Sequence, residues 1–274
     1  MRRKTTLSLG ALTAIVVGVI AALASAGAFA DDHARFQANV TGQGDPVIYV
    51  PGLTSSARVF EPFVDARTNH ENHLITLAGF GGVTAPDDLD AFTRPAADAL
   101  AAYIEAENLT GVRLIGHSMG GVISLMVPGT VPERIDRVLI IDSVPFLAGL
   151  RNPAVDPAAV TAQQGAVRDR FLTMPRDAYL GMMRQGLPIQ AISAENQALV
   201  WADIEASDQR AVGIAASEIF NGDYRGLLPR VSAPVTVLVP HNNYVPAGPD
   251  ELAAIYAAQY EGLEQVELHV IEDS

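Results

Sequence analysis

The chain of 274 residues contains no cysteine, and its only lysine is Lys4. Without cysteine, the protein has no disulfide, no thiol nucleophile and no thiolate-bound metal. Without lysine after position 4, the rest of the chain has no serine–lysine dyad and no Schiff base. Acidic side chains outnumber basic ones by 31 to 18, which gives a net charge of −13. Such a surface argues against nucleic acid as a partner, because phosphate binding needs clustered positive charge.

The first thirty residues have the pattern of an export signal. Three basic residues near the start precede an apolar run from Leu7 to about Leu23, and Ala28-Phe29-Ala30 matches a signal-peptidase site. We therefore predict a cleaved signal peptide at residues 1–30, an exported (periplasmic or secreted) protein, and no stable membrane association after cleavage. The alternative is a retained anchor, since the apolar run approaches the ~20 residues that span a bilayer.

Short apolar runs alternate with helical patterns along the rest of the chain. Almost every residue in these runs is apolar, which is typical of parallel strands covered by helices on both faces. The sequence therefore predicts an α/β fold with a mostly parallel central sheet, and a helix over 88–108. The predicted strands cover residues 35–41, 47–50, 73–77, 112–115, 138–141, 234–239 and 266–271.

The strand pattern is interrupted over residues 145–228, where helical stretches rich in Ala, Gln, Met and Arg replace it. We predict that this segment is a helical lid inserted into a core made of residues 31–144 and 229–274. The apolar and methionine side chains of the lid favour a partly apolar small molecule as substrate, because methionine adapts to varied shapes. Simple core packing is the alternative role for these methionines.

Residues 116–120 read Gly-His-Ser-Met-Gly and lie between a predicted buried strand and a helical pattern. In that context, Gly-x-Ser-x-Gly is typical of a strained turn that raises a nucleophilic serine oxygen above the sheet. Ser118 is therefore the candidate nucleophile, and a serine that caps an ordinary helix is the alternative. Acyl transfer also needs N–H donors for the developing oxyanion. We expect these donors to be the main-chain amides of Met119 and Leu53.

Four segments together resemble the α/β-hydrolase superfamily, in particular its small bacterial esterase-like members with a lid. The segments are 50–56 (Val-Pro-Gly-Leu-Thr-Ser-Ser), 79–82 (Gly-Phe-Gly-Gly), 116–121, and 141–146 (Ile-Asp-Ser-Val-Pro-Phe). The resemblance implies a Ser–His–acid triad in the chain order serine, acid, histidine, with no cofactor and no metal. It also implies hydrolysis of an ester or a related acyl bond of a small molecule.

The same resemblance implies a histidine just beyond the last strand, and the chain as given lacks it. Glu272-Asp273-Ser274 looks like the start of the expected motif, so we expect a truncated sequence with the histidine beyond Ser274. Of the six histidines present, His241 is the one candidate substitute. His117 is expected to project away from the serine, and His269 lies inside a predicted strand.

The acid of the triad is open between two positions. The usual slot, after the strand at 234–239, holds Asn242 and Asn243. Asparagine can orient an imidazole, but an Asp-to-Asn exchange in a serine protease cost about 10⁴ in turnover. Asp142 follows the preceding strand, where some relatives carry their acid, and its alternative role is that of a turn residue. Asp250 would need a loop rearrangement, so Asp142 is the predicted acid.

These observations predict a serine hydrolase that forms an acyl-enzyme on Ser118. A non-catalytic binding protein on the same scaffold is the alternative, because asparagines fill the usual acid slot and a fold alone does not imply activity. A cofactor-free perhydrolase that uses the same serine is a third hypothesis. No sequence pattern favours a particular oligomeric state.

Overall fold

The computed structural model describes residues 35–65, 69–241 and 247–272. The predicted signal peptide at 1–30, the Asn242 and Asn243 slot, and Ser274 lie outside these ranges. The export prediction therefore stays a prediction. Within the described ranges, no helix combines the length and apolarity that crossing a bilayer requires. The same ranges contain no group of three or more His, Asp or Glu residues placed to hold a metal ion.

Seven strands of the described chain form one sheet. They are β1 (Phe36–Gly42), β2 (Asp45–Val50), β3 (His70–Leu77), β4 (Val112–His117), β5 (Ile135–Ile141), β6 (Val235–His241) and β7 (Val266–Glu272). Their order across the sheet is β1-β3-β2-β4-β5-β6-β7. The pair β1–β3 is antiparallel, and the other neighbouring pairs are parallel. The predicted mostly parallel sheet is confirmed.

The inner strands of the sheet are buried on both faces, as their near-continuous apolar runs predict, whereas β1 and β7 at the two edges are largely exposed. Alternate residues of β2 show the burial of both faces, because Ile48 and Val50 belong to one apolar cluster while Val47 and Tyr49 belong to another.

Helices lie between the strands in the chain. They are α1 (Glu61–Asp65), α2 (Thr93–Ala106), α3 (Met119–Met126), α4 (Leu147–Arg151), α5 (Pro157–Thr161), α6 (Gln164–Thr173), α7 (Arg176–Gln185), α8 (Leu187–Gln190), α9 (Ala194–Ala206), α10 (Gln209–Asn221) and α11 (Pro249–Gln259).

Helices α4 to α10 follow one another between β5 and β6, inside the segment predicted as a lid. We call residues 147–221 the inserted segment. Its helix α10 is buried in the main core through Val212, Ala215 and Ala216. Three methionines of the segment, Met174, Met182 and Met183, are partly buried against the same core. These methionines therefore contribute packing, while a separate lid domain stays a prediction.

Helix α2 begins later than its sequence pattern predicts. The helical spacing starts at 88, whereas the observed helix starts at Thr93. The carboxylate of Glu218, on α10, accepts hydrogen bonds from Phe92 N (2.9 Å), Thr93 N (2.8 Å) and Thr93 Oγ1 (2.7 Å). It thereby satisfies amides at the start of the helix that have no partner inside it. The predicted start was wrong because this cap comes from a distant part of the chain.

Substitution of Gly120 by alanine is expected to destabilise the fold by about 3 kcal/mol. The added methyl carbon would lie 2.1 Å from the carbonyl oxygen of Val50, which is backbone and has little freedom to move. Thermal unfolding measures the change. The matched control is Gly181→Ala in the exposed interior of α7, where an added methyl group meets nothing within 4 Å. This control is expected to stabilise the protein by up to about 1 kcal/mol. Equal melting temperatures for Gly120→Ala and the wild type would contradict the close contact.

Candidate active site

Ser118 occupies the turn between the central strand β4 and helix α3. Its backbone has φ 51° and ψ −121°, a conformation that residues other than glycine rarely adopt. Hydrogen bonds from Ser118 N to Ile141 O (2.9 Å) and from Gly121 N to Ser118 O (2.9 Å) hold the turn. The half-buried side chain makes no capping bond to α3, so the helix-capping alternative is wrong. Its hydroxyl forms no hydrogen bond with any other described residue.

Two glycines make this turn possible by leaving room for backbone contact. A Cβ on Gly116 would lie 2.4 Å from the carbonyl oxygen of Gly120, and a Cβ on Gly120 would lie 2.1 Å from that of Val50. The first turn of α3 therefore rests directly on the ends of β4 and β2. Any side chain at either position would force α3 away from the sheet.

The loop after β2 passes alongside Ser118. A Cβ on Gly52 would lie 3.2 Å from Ser118 Cβ, so the bare glycine permits the approach. Ser55 N donates to Gly52 O (3.2 Å) and closes a β-turn over 52–55 with Leu53 as its second residue. Within the part of the chain that the structure describes, neither Leu53 N–H nor Met119 N–H donates to another residue. Both predicted donors are therefore without an acceptor in the described chain.

His117 lies beside the same loop and is half-buried. A Cβ on Gly52 would lie 3.1 Å from His117 Nδ1. Burial lowers the pKa of His117, and this effect outweighs the opposite influence of the Asp142 carboxylate. The side chain of His269 is 57% exposed on β7, and His241 Nε2 lies 3.1 Å from Ala247 O. No histidine of the described ranges is hydrogen-bonded to the Ser118 hydroxyl.

Asp142 follows β5 directly and is exposed. Its φ of 47° is positive, and its N–H donates to Leu238 O (3.0 Å) on the neighbouring strand β6. The hydroxyl of Tyr256, on α11, donates to Asp142 Oδ1 (3.0 Å). Burial and the negative charge of Asp142 raise the pKa of Tyr256, so the phenol keeps the proton that it donates.

Sequence reasoning missed two tyrosines that contact this turn, Tyr256 on α11 and Tyr260 directly after that helix. Besides the bond from Tyr256, the hydroxyl of Tyr260 donates to Ser143 O (2.7 Å). Their spacing of four residues places both on one face at the end of α11. This spacing is the signal in the sequence that the two tyrosines act together, but it does not reveal which loop that face of the helix contacts.

A family model described as "Alpha/beta hydrolase family" matches residues 47–274, which is most of the sequence. The chain belongs to the alpha/beta hydrolase family.

Several curated relatives of this alpha/beta hydrolase carry the names of specific activities. It is 30% identical over 126 residues to an (E)-2-((N-methylformamido)methylene)succinate hydrolase of Acinetobacter baylyi, a match that covers 45% of this chain and 47% of that protein. It is 30% identical over 103 residues to an N-formylmaleamate deformylase of Pseudomonas putida, with 37% of this chain and 38% of that protein covered. Each match therefore spans less than half of the curated relative.

The fold resembles that of a thermophilic esterase from Thermogutta terrifontis, with a TM-score of 0.68 and 21% sequence identity. The superposition covers 87% of this chain and 85% of the esterase. At this identity the likeness shows the shared fold alone.

The lowered pKa of His117 predicts a pH dependence of stability. Because the unfolded chain binds this proton more tightly, acidification below the ordinary value of 6.5 favours unfolding. The free energy of unfolding is expected to fall by up to about 1.4 kcal/mol per pH unit from this residue. Above that pH, His117 is neutral in both states and has no such effect.

The variant His117→Gln is expected to have a shallower pH dependence between about pH 5 and 6.5, as measured by urea unfolding. His73 is buried and its pKa is also lowered, so part of the slope remains in the variant. The same pair of proteins at about pH 8 provides the control, because both histidines are then neutral. Identical slopes in acid would contradict the proposed desolvation of His117.

Proposed function

We propose that this alpha/beta hydrolase is a serine hydrolase that cleaves an ester or a related acyl bond of a small molecule through an acyl-enzyme on Ser118. One observation carries the proposal. The strained turn presents a hydroxyl without a hydrogen bond to the described residues, Gly52 lies against Ser118, and the amides of Leu53 and Met119 donate to no described residue. Acyl transfer needs this combination of a nucleophile and donors for an oxyanion.

The named relatives support hydrolysis as the reaction class. One is a hydrolase of a formamido-substituted succinate, and the other removes a formyl group from N-formylmaleamate. A serine nucleophile attacks the acyl carbon of an ester, an amide or a lactone by the same steps. We therefore propose the acyl bond of a small molecule as the target. The proposal covers both alcohol and amine leaving groups.

In the proposed reaction, Ser118 Oγ attacks the acyl carbon while a histidine base removes the hydroxyl proton. The carbonyl electrons move to the oxygen, which then accepts hydrogen bonds from Leu53 N–H and Met119 N–H. Collapse of this intermediate expels the alcohol or amine, which takes the proton back from the histidine. Water then attacks the acyl carbon while the same histidine takes its proton, and this proton returns to Ser118 Oγ as the acid leaves. The position that the family resemblance implies for this base, after β7, lies outside the described residues.

We propose Asp142 as the acid that orients this base. Its place at the carboxyl end of β5, near the end of β4, supports the assignment, because functional groups of parallel sheets gather at that edge. The hydrogen bond from Tyr256 holds one carboxylate oxygen and leaves the other available. The competing position is the Asn242 and Asn243 slot after β6.

The variant Ser118→Ala is expected to lose all labelling by a fluorophosphonate and to lower kcat for p-nitrophenyl esters by about 10⁴-fold or more. The measurement uses the full-length protein. The matched control is Ser124→Ala on the same helix α3, which removes a buried hydroxyl that has no hydrogen-bond partner within the described chain. This control is expected to label like the wild type.

An unlabelled wild type would refute the serine mechanism and favour a non-catalytic binding protein. Peroxide-dependent halogenation that disappears in Ser118→Ala, without ester hydrolysis by the wild type, would replace the hydrolase with a perhydrolase.

The variant Asp142→Asn is expected to lower kcat for the same esters by about 10²- to 10⁴-fold, because the amide does not stabilise the imidazolium that forms. The variants Asn242→Ala and Asn243→Ala are the controls and are expected to keep kcat within about threefold of the wild type. Steady-state kinetics of purified, folded variants gives the comparison. A loss of kcat confined to the asparagine variants would assign the orientation of the base to Asn242 or Asn243 instead.

A further inference from the structure

The turn that carries Leu53 N–H contains a strained residue. Thr54 has φ 65°, although it is β-branched, and its hydroxyl donates to Leu53 O (2.6 Å). The residue is almost fully buried, at 1% exposure. A conformation of this kind persists only where the surrounding structure determines it. The contacts on the outer side of the turn therefore decide where the Leu53 amide points.

Those contacts come from the inserted segment, through Asp203 on α9. Its carboxylate is fully buried and accepts hydrogen bonds from Ser56 N (2.8 Å) and Ser56 Oγ (2.7 Å). Arg58 completes the set with an ion pair to the other carboxylate oxygen. A buried carboxylate is costly without partners, and here all of its partners lie just after the 52–55 turn.

Ser207, on the turn after α9, adds a second connection to the same loop. Its Oγ lies 3.3 Å from Thr54 O and accepts a hydrogen bond from Gly81 N (3.1 Å). Gly81 in turn lies against Ser56, because a Cβ on Gly81 would meet Ser56 Cβ at 2.6 Å. Thr54 and Ser56 are thus held between the inserted segment and the 79–82 turn.

We propose that Asp203 is a positioning residue, which holds the 52–55 turn so that Leu53 N–H faces the oxyanion that forms at Ser118. This inference rests on the proposed function. It assigns to the inserted segment a part in catalysis that involves no contact with the substrate. The buried carboxylate acts through Ser56 and the backbone of the strained turn.

The test compares Asp203→Asn with Glu218→Gln in the full-length protein. Glu218 is a matched control because it is also a buried carboxylate of the inserted segment that accepts backbone N–H and hydroxyl bonds. Its partners, however, are at the start of α2 rather than in the 52–55 turn. The readouts are the rate of fluorophosphonate labelling, kcat and KM for p-nitrophenyl acetate, and the melting temperature.

Asp203→Asn is expected to lower both the labelling rate and kcat by about 10- to 100-fold, with KM within about threefold of the wild type. Glu218→Gln is expected to keep both rates within about twofold while its melting temperature falls by a similar amount. Rates for folded Asp203→Asn that match the wild type, or equal losses in the two variants, would overturn the inference. A wild type that does not label overturns the proposed function, and this inference with it.

Ser56→Ala provides a second variant if Asp203→Asn does not fold. It removes one hydrogen bond to Asp203 while the main-chain bond and the Arg58 ion pair remain. Its labelling rate and kcat are expected to fall together by about three- to tenfold, again with little change in KM. Unchanged rates in this variant would also refute a positioning role.

Discussion

Direct contact between backbones at the end of β4 is the constraint on which the rest of the site depends. Gly116 and Gly120 let the first turn of α3 rest on the sheet at distances that no Cβ could occupy. This contact accompanies the unusual conformation of Ser118, and the Met119 amide at the start of α3 has no acceptor in the described chain. Because β2 is the neighbour of β4, the loop after β2 passes alongside Ser118, and Gly52 permits the approach. Strand order and close packing together thus bring the candidate residues to one edge of the sheet.

Buried carboxylates join the inserted segment to the rest of the core. The protein has no disulfide, and its only lysine is Lys4, so such connections within the described chain depend on hydrogen bonds, arginine and apolar contact. Glu218 and Asp203 each satisfy backbone amides of the core from helices of the inserted segment. In the unfolded chain, water hydrates each carboxylate. Burial removes that water at a cost in free energy, and the hydrogen bonds of the folded protein offset this cost. The same chemistry stabilises a helix start in one case and the candidate oxyanion turn in the other.

The ambiguity over the acid has a structural origin. The ends of β5 and β6 are neighbours, and the amide of Asp142 is bonded to Leu238 on the adjacent strand. Asp142 and the end of β6 therefore lie at the same edge of the sheet, where the functional groups of parallel sheets gather. Residue type argues for Asp142, while the family pattern argues for the slot at Asn242 and Asn243. Tyr256 adds a contact to Asp142 that no local pattern indicated.

The sequence alone determined the parallel sheet and the turn at Ser118, because both have a local pattern that can be recognised along the chain. Continuous apolar runs predict strands that are buried on both faces, and glycines around a serine predict a tight strand-to-helix turn. Only the tertiary structure decided that α2 begins at Thr93 and that Asp203 holds the loop after β2. The carboxylates responsible come from residues 125 and 147 positions away from their partners. The spacing of apolar residues along the chain does not predict such partners, since they come together only when the inserted segment folds against the core.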